Sequence, residues 1–362
     1  MIDIKNIQSK FINKTSHILP IYYPVPTVTY LDNVLFCLRT LPYHAFRRFY
    51  NSFILLFWAP GSSIKFRFYP NIPYQSQTYF QTNRGILFTG MITYNKNNII
   101  RYMKKGIKSG AYIYAYINEP ILESTQLKND QTQLHACIFY GFEGNTFKMM
   151  NFDPYLNFKI IDVPEDKLSE AFFTDIEIAV KKATGKESIS SYPIFDLLYP
   201  WLEDIEKNDF LISVIANIDI YLHSITNISI KHLLSGNYPD FYNSDFGIDV
   251  YLRICENLKS ELLDKIDFRI FTGIYEHKYL WVLRLKYLED EGYLSTSGYW
   301  EKFQPIEKMA NTLKLLCFKY NIVKNSLMLK RMIDLLFVIR DAEVPILKDV
   351  LEELKEFKLR KK

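Results

Sequence analysis

Two hydrophobic periods divide this chain, and the change from one to the other limits what it can fold into. Up to about residue 180, short alternating segments such as Tyr112-Ile113-Tyr114-Ala115-Tyr116-Ile117 stand among helix-like ones. From about residue 200 onward, apolar residues recur at three- and four-residue spacings with charges between them, as in Ile270 to Glu291 and Ser326 to Phe357. A period of two buries one face of a strand, whereas a period near 3.6 buries one stripe of a helix. The first half is therefore expected to be α+β and the second a mostly α-helical domain. Lys181 to Pro200 carries Gly185, Ser188, Ser190, Ser191, Pro193 and Pro200 and reads as the linker. The expected division is thus 1–180, 181–200 and 201–362.

Within the first half, Leu134 to Phe142 and Thr146 to Pro154 read as two strands, joined by Glu143-Gly144-Asn145. The loop supplies the Gly and Asn that a tight hairpin needs, and its flanks are aromatic, β-branched or long and apolar. The hairpin sets His135 on one strand and Asp153 at the end of its neighbour. A neutral imidazole takes a proton from a thiol or hydroxyl when its other nitrogen is held by an acceptor, and a carboxylate on the next strand can hold it. A buried His paired with an Asp is also an ordinary structural arrangement, so the pattern alone leaves both readings open.

The nucleophile for such a base must come from elsewhere. Cys37 follows Asp32-Asn33, either of which can cap a helix beginning just before the thiol. The helix dipole and a neighbouring imidazolium would both favour thiolate over thiol. Against that stand Leu35, Leu38 and Leu41, which make the same segment an apolar helix face where a cysteine is simply packed. Cys137 is a rival, two residues from His135. Side chains at i and i+2 of one strand point in parallel, however, and a base and nucleophile have to converge from different elements. Cys255 and Cys317 fall in amphipathic segments and read as core.

Composition frames these candidates. The 362 residues are 48% hydrophobic and 23% charged, with 27 Tyr and 27 Phe, which is ample core material for a globular chain of two domains. The net charge of +4 is spread along the chain apart from the basic tail Lys358 to Lys362, and it gives no reason to expect nucleic acid. No apolar run approaches the ~20 residues that span a bilayer, and Met1 to Lys5 does not open a signal peptide, so a cytoplasmic protein without membrane contact is expected. Four widely spaced cysteines suit a reducing compartment and argue against a disulfide framework or a structural zinc. There is no Gly-rich phosphate loop, internal repeat or carboxylate pair at a metal-binding or glycosidase spacing, and no metal is expected.

Taken together, several features resemble the proteins similar to the N-terminal domain of butirosin biosynthesis protein H, relatives of papain-fold cysteine peptidases found in antibiotic clusters. They are Cys37 about twenty residues before Phe53-Ile54-Leu55-Leu56-Phe57-Trp58, the helix-then-strand segment Lys104 to Asn118, and the polar stretch Glu119 to Gln133 leading into His135. Tyr140-Gly141-Phe142, Asp153-Pro154, Gly247 to Tyr251 and Tyr275 to Trp281 extend the likeness. The resemblance implies a papain-like catalytic domain over 1–180 and a helical domain covering the cleft. It implies Cys37 as nucleophile, His135 as general base and acid, and Asp153 as the orienting acceptor.

Papain-like enzymes usually place a Gln before the Cys to bind the oxyanion. Tyr30-Leu31-Asp32-Asn33 contains none, which leaves the Cys37 backbone N–H and the Asn33 amide as candidate donors. The implied activity is acyl transfer: a thiolate takes an acyl group from the phosphopantetheine arm of a carrier protein and passes it to a small amine, without a cofactor of its own. Amide formation on a diamine in polythioamide assembly is one such role. Glu276 and Glu119 are candidates for gripping the cationic amine, although each fits a solvated helix or strand face as well. A peptidase or thioesterase using the same three residues with water, and a scaffold in which Cys37 is core, are the alternatives.

Overall fold

The computed structural model describes residues 16–19, 47, 50, 54–58, 66–69, 80–82, 96–122, 134–152, 158–173, 195–200, 206–224, 245–260, 266–295 and 298–360. They form mixed helix and sheet, with every strand pair antiparallel. Two compact units result, an α+β unit and a mainly helical one.

The first unit is built on a seven-stranded sheet. Its strands are β1 (Ser16–Ile18), β4 (Phe80–Thr82), β5 (Tyr112–Asn118), β6 (Leu134–Glu143), β7 (Thr146–Phe152), β8 (Phe158–Pro164) and β9 (Phe195–Pro200). The order is β4-β9-β5-β6-β7-β8, with β1 added to the far end of β6. The hairpin expected from the sequence is present as β6 and β7, turning through Gly144 at φ 56°, a conformation that glycine adopts without a Cβ penalty. The register slips between Phe139 and Gly141, a bulge that lets β6 leave β5 and pair with β1. Gly141 is required there, because a Cβ would lie 2.9 Å from both the His17 carbonyl oxygen and the Ile18 Cα.

One face of this sheet is mostly apolar. Ile113, Ala115, Ile117, Phe139, Phe147 and Met149 are 0% exposed. Helix α1 (Lys96–Lys108) covers this face, with Lys104 Nζ 5.8 Å from the centre of the Phe147 ring and paired to Glu165. Glu165 opens α2 (Glu165–Phe173), which follows β8 directly. The linker expected over 181–200 contains β9, which pairs with β5 on one side and β4 on the other. Its run Phe195-Asp196-Leu197-Leu198-Tyr199 is strand-forming, and the neighbouring Pro193 and Pro200 bound that strand rather than marking a continuous loop.

The second unit consists of α3 (Lys207–His223), α4 (Val250–Ser260), α5 (Phe268–Asp290), α6 (Tyr299–Val323) and α7 (Ser326–Arg360). It also takes in a small sheet of β10 (Asp245–Phe246), β2 (Leu55–Trp58) and β3 (Phe66–Tyr69). The sequence expectation placed residues 55–69 with the first half. All four β2 residues are buried, and such a strand needs cover on both faces. Helices α3 and α4 pack on β2 and α5 on β3. The turn into α6 is closed by Glu289, whose carboxylate accepts from the backbone N–H groups of Gly298 at 3.1 Å, Tyr299 at 2.6 Å and Trp300 at 3.3 Å. Those donors have no partner within the helix, and a carboxylate also suits the positive end of its dipole. Among the described residues no helix is long and apolar enough to cross a membrane.

Candidate active site

Of the residues expected to carry chemistry, Cys37, Asn33 and Asp153 lie outside the described residues. His135 is placed by its backbone on β6, where its Cα partner on β5 is Ile117. The next pair, Leu134 with Asn118, ends the β5–β6 ladder. Glu119 follows Asn118 as the first residue of a 3₁₀ turn, Glu119–Ile121, so the sheet brings the backbones of Glu119 and His135 to the same end. Across the hairpin, Ile138 pairs with Met150 and Phe139 with Met149.

Cys137 occupies the apolar sheet face at 1% exposure, and its Sγ accepts from the Asn151 side-chain amide on β7 at 3.1 Å. Asn151 is itself 3% exposed. An amide donor thus lies beside this sulfur, and the thiol is packed between strands as a core cysteine is. Cys255 and Cys317 are buried in α4 and α6, as expected for core residues. Burial pushes their thiols up, to about 11 and about 12 respectively, so neither is a thiolate near neutral pH.

The second unit holds a polar cluster that the sequence reading did not find. Lys278 on α5 and Glu343 on α7 form an ion pair with both side chains at 0% exposure. The ammonium also donates to the Tyr221 hydroxyl at 3.1 Å and to His277 Nδ1 at 3.0 Å, so its three hydrogens meet three acceptors. Tyr221 in turn donates to Glu343 Oε1 at 2.7 Å. His277 Nε2 donates to the Ile54 carbonyl at 2.8 Å. That bond fixes the tautomer: Nε2 carries the hydrogen and Nδ1 is left bare for Lys278. Desolvation, reinforced by the adjacent Lys278, holds His277 well below its usual range and therefore neutral. Desolvation also lowers Lys278, against the opposing pull of Glu343, and raises Tyr221 and Tyr251 well above the phenol range. The phenols stay protonated and the lysine stays engaged, so this cluster ties α3, α5 and α7 to the strand-edge carbonyl of Ile54 without offering a free base or nucleophile.

Glu276, one of the two carboxylates considered for an amine, also belongs to this unit. It is 2% exposed, and neither carboxylate oxygen has a hydrogen-bond partner. Desolvation raises it well above the carboxylate range, with Lys314 pulling the other way. The solvated-face alternative for Glu276 does not hold, since its face of α5 packs inside the unit.

The cluster had one local signal. Glu276-His277-Lys278 are three successive ionisable residues in a helix that is mostly buried, and three successive positions span about 200° of helix circumference. They could not all have faced water on a helix buried along most of its length. No protein-family model matches the chain, and the curated proteins contain no match to it.

Proposed function

We propose that the chain is a cysteine-dependent acyltransferase, an amide synthase that moves an acyl group from a carrier-protein thioester to a small amine through a Cys37 acyl-enzyme. The papain-like character of the first unit is part of the proposal. The observation that supports it is the β6–β7 hairpin itself, which pairs Ile138 with Met150 and carries the backbone of His135 near one end of β6, with Asp153 following the last residue of β7 in sequence. In the proposed chemistry His135 is the base and Asp153 the acceptor that orients it. Ile117, the buried β5 partner of His135, gives that end of β6 a rigid support.

In the first step, the Cys37 thiolate attacks the thioester carbonyl of the carrier. The carbon–sulfur bond to phosphopantetheine breaks, and the leaving thiolate takes the proton held on His135. In the second step, the acceptor amine attacks the Cys37 thioester and gives its proton to His135, and Cys37 leaves as thiolate. Asp153 holds the imidazole in the required tautomer throughout. The Cys37 N–H and the Asn33 amide stabilise the oxyanion, a contribution for which loss of one donor typically lowers the rate ~10²–10³-fold. Glu119, whose backbone lies at the same end of the sheet as that of His135, is the favoured candidate for attracting a cationic amine; Glu276, buried in the other unit, is the weaker candidate.

Intact mass after incubation with an acylated carrier protein tests this reading. Wild type and Cys137→Ser should acquire the acyl mass and lose it on addition of a simple amine, whereas Cys37→Ser should remain unmodified and His135→Ala should load far more slowly. Loss of the acyl group as free acid without amine dependence would instead identify a thioesterase. An adduct that disappears only in Cys137→Ser would move the nucleophile to β6.

A further inference from the structure

The hairpin of α6 and α7 ends in an apolar tip among mainly basic residues. Ile322 is 81% exposed, Val323 54% and Leu327 73%. Leu315 at 57% continues the Ile322 stripe down α6, and Val338 at 50% continues the Leu327 stripe down α7, since residues seven and eleven apart share a helix face. Between Glu307 and Asp334 the sequence contains no acidic residue but has Lys308, Lys314, Lys319, Lys324, Lys330 and Arg331. Lys319, Lys324, Lys330 and Arg331 are exposed at the tip.

The turn itself is rigidly closed. Lys324 takes the left-handed conformation at φ 57° and its N–H bonds the Tyr320 carbonyl at 2.8 Å, while Asn325 Oδ1 caps α7 by accepting from the Leu327 N–H at 2.8 Å. A helix end satisfied in this way has no need of exposed aliphatic side chains. Contiguous exposed apolar surface rimmed by charge is instead characteristic of a contact surface.

We propose that this tip is the docking surface for the carrier protein, an acidic partner whose apolar spot meets Ile322, Val323 and Leu327. The identity of the occupant rests on the acyl-transfer reading; the location of the surface does not. The sign of the charge selects the partner. A predominantly basic rim, in which the nearby Asp267 is already paired with Arg269, attracts an acidic surface at long range, speeds encounter and makes the association salt-sensitive, while the apolar centre supplies the short-range hold.

The test measures binding of a phosphopantetheinylated, unacylated acidic carrier protein to the full chain by titration calorimetry. The set comprises Cys37→Ser, the pair Ile322→Ser with Leu327→Ser, and the pair Lys319→Glu with Lys330→Glu, each checked for an unchanged melting temperature. Cys37→Ser should bind like wild type, since docking precedes chemistry. Each tip pair should weaken binding about tenfold or more, about 1.4 kcal/mol. Raising the salt from about 50 to about 300 mM should weaken wild type but barely affect the charge-reversed pair.

Carrier binding that is unchanged in both tip pairs overturns the docking surface while leaving the acyl-transfer reading intact. Absence of binding to wild type overturns it as well, as does tip-dependent sedimentation with anionic phospholipid vesicles in place of carrier binding. Failure of the acyl-transfer reading shows separately, as lack of acyl mass on Cys37.

Discussion

Lys278 and Glu343, 65 residues apart on α5 and α7, are both wholly excluded from water and paired to each other. Taking two charges out of water is expensive, and their attraction offsets that only because the remaining hydrogen-bonding capacity is filled by Tyr221 and His277. Removing one partner strands the other.

Lys278→Met and Glu343→Leu alone should therefore each destabilise the chain by about 3–5 kcal/mol, while the double replacement should recover most of the loss. Urea unfolding followed by Trp fluorescence, run as a double-mutant cycle, measures the coupling. Single variants within about 1 kcal/mol of wild type would show that the pair does not hold the helices together.

Two neighbours on α5 respond to pH with opposite signs. Glu276 has its folded value raised well above 4.5 by desolvation, so the unfolded chain releases the proton first as the pH rises. Its contribution is present in full below about 4.5 and is lost as the pH climbs toward the folded value. His277 has its folded value held well below 6.5, again chiefly by desolvation. Its contribution is present above 6.5 and is lost as the pH falls toward the folded value, because the unfolded chain then binds a proton that the native state refuses. Glu276→Gln should leave stability unchanged near pH 4 and raise it at pH 8 by about 1–3 kcal/mol, the scale of an unmatched buried polar group. Equilibrium denaturation at the two pH values checks the sign, and a variant less stable at pH 8 would contradict it.

How much of this was legible in the sequence depended on the range of the interaction. The β6–β7 hairpin and the helices α5 and α7 were readable because Gly144, the alternating strand residues and the three- and four-residue spacings are local signals. Strand β9 was obscured by the Ser, Gly and Pro residues before it, although Leu197 and Leu198 are strand-forming. The Lys278 cluster was invisible as a cluster because Tyr221 and Glu343 lie 57 and 65 residues from Lys278 and come together only when three helices pack. Glu276 fitted a wet helix face on spacing, and only the packing of α5 inside the unit placed it in the core.

Gly247 backs onto the same cluster. It sits at φ +67°, and a Cβ there would lie 2.3 Å from the backbone oxygen of Tyr221. Gly247→Ala should thus cost at least about 2 kcal/mol, since both the left-handed backbone and the contact oppose it. Gly292→Ala, at φ +70° with nothing within 4 Å, separates the two effects and should cost only the backbone strain, about 1 kcal/mol. Equal losses in the two variants would mean that the contact with Tyr221 relaxes freely.

The four thiols should differ sharply in reactivity. Cys137 is packed in the sheet beside Asn151, and burial raises Cys255 to about 11 and Cys317 to about 12. Neither Cys255 nor Cys317 presents a thiolate near neutral pH, and burial leaves none of the three an open path to a reagent. If Cys37 is the nucleophile, native protein should react with a disulfide reagent in one fast equivalent, lost in Cys37→Ser and slowed in His135→Ala, and in four equivalents once unfolded. A fast thiol that survives in Cys37→Ser and vanishes in Cys137→Ser would transfer the chemistry to β6. With no fast thiol at all, Cys37 would be an ordinary core cysteine and the hairpin a structural one.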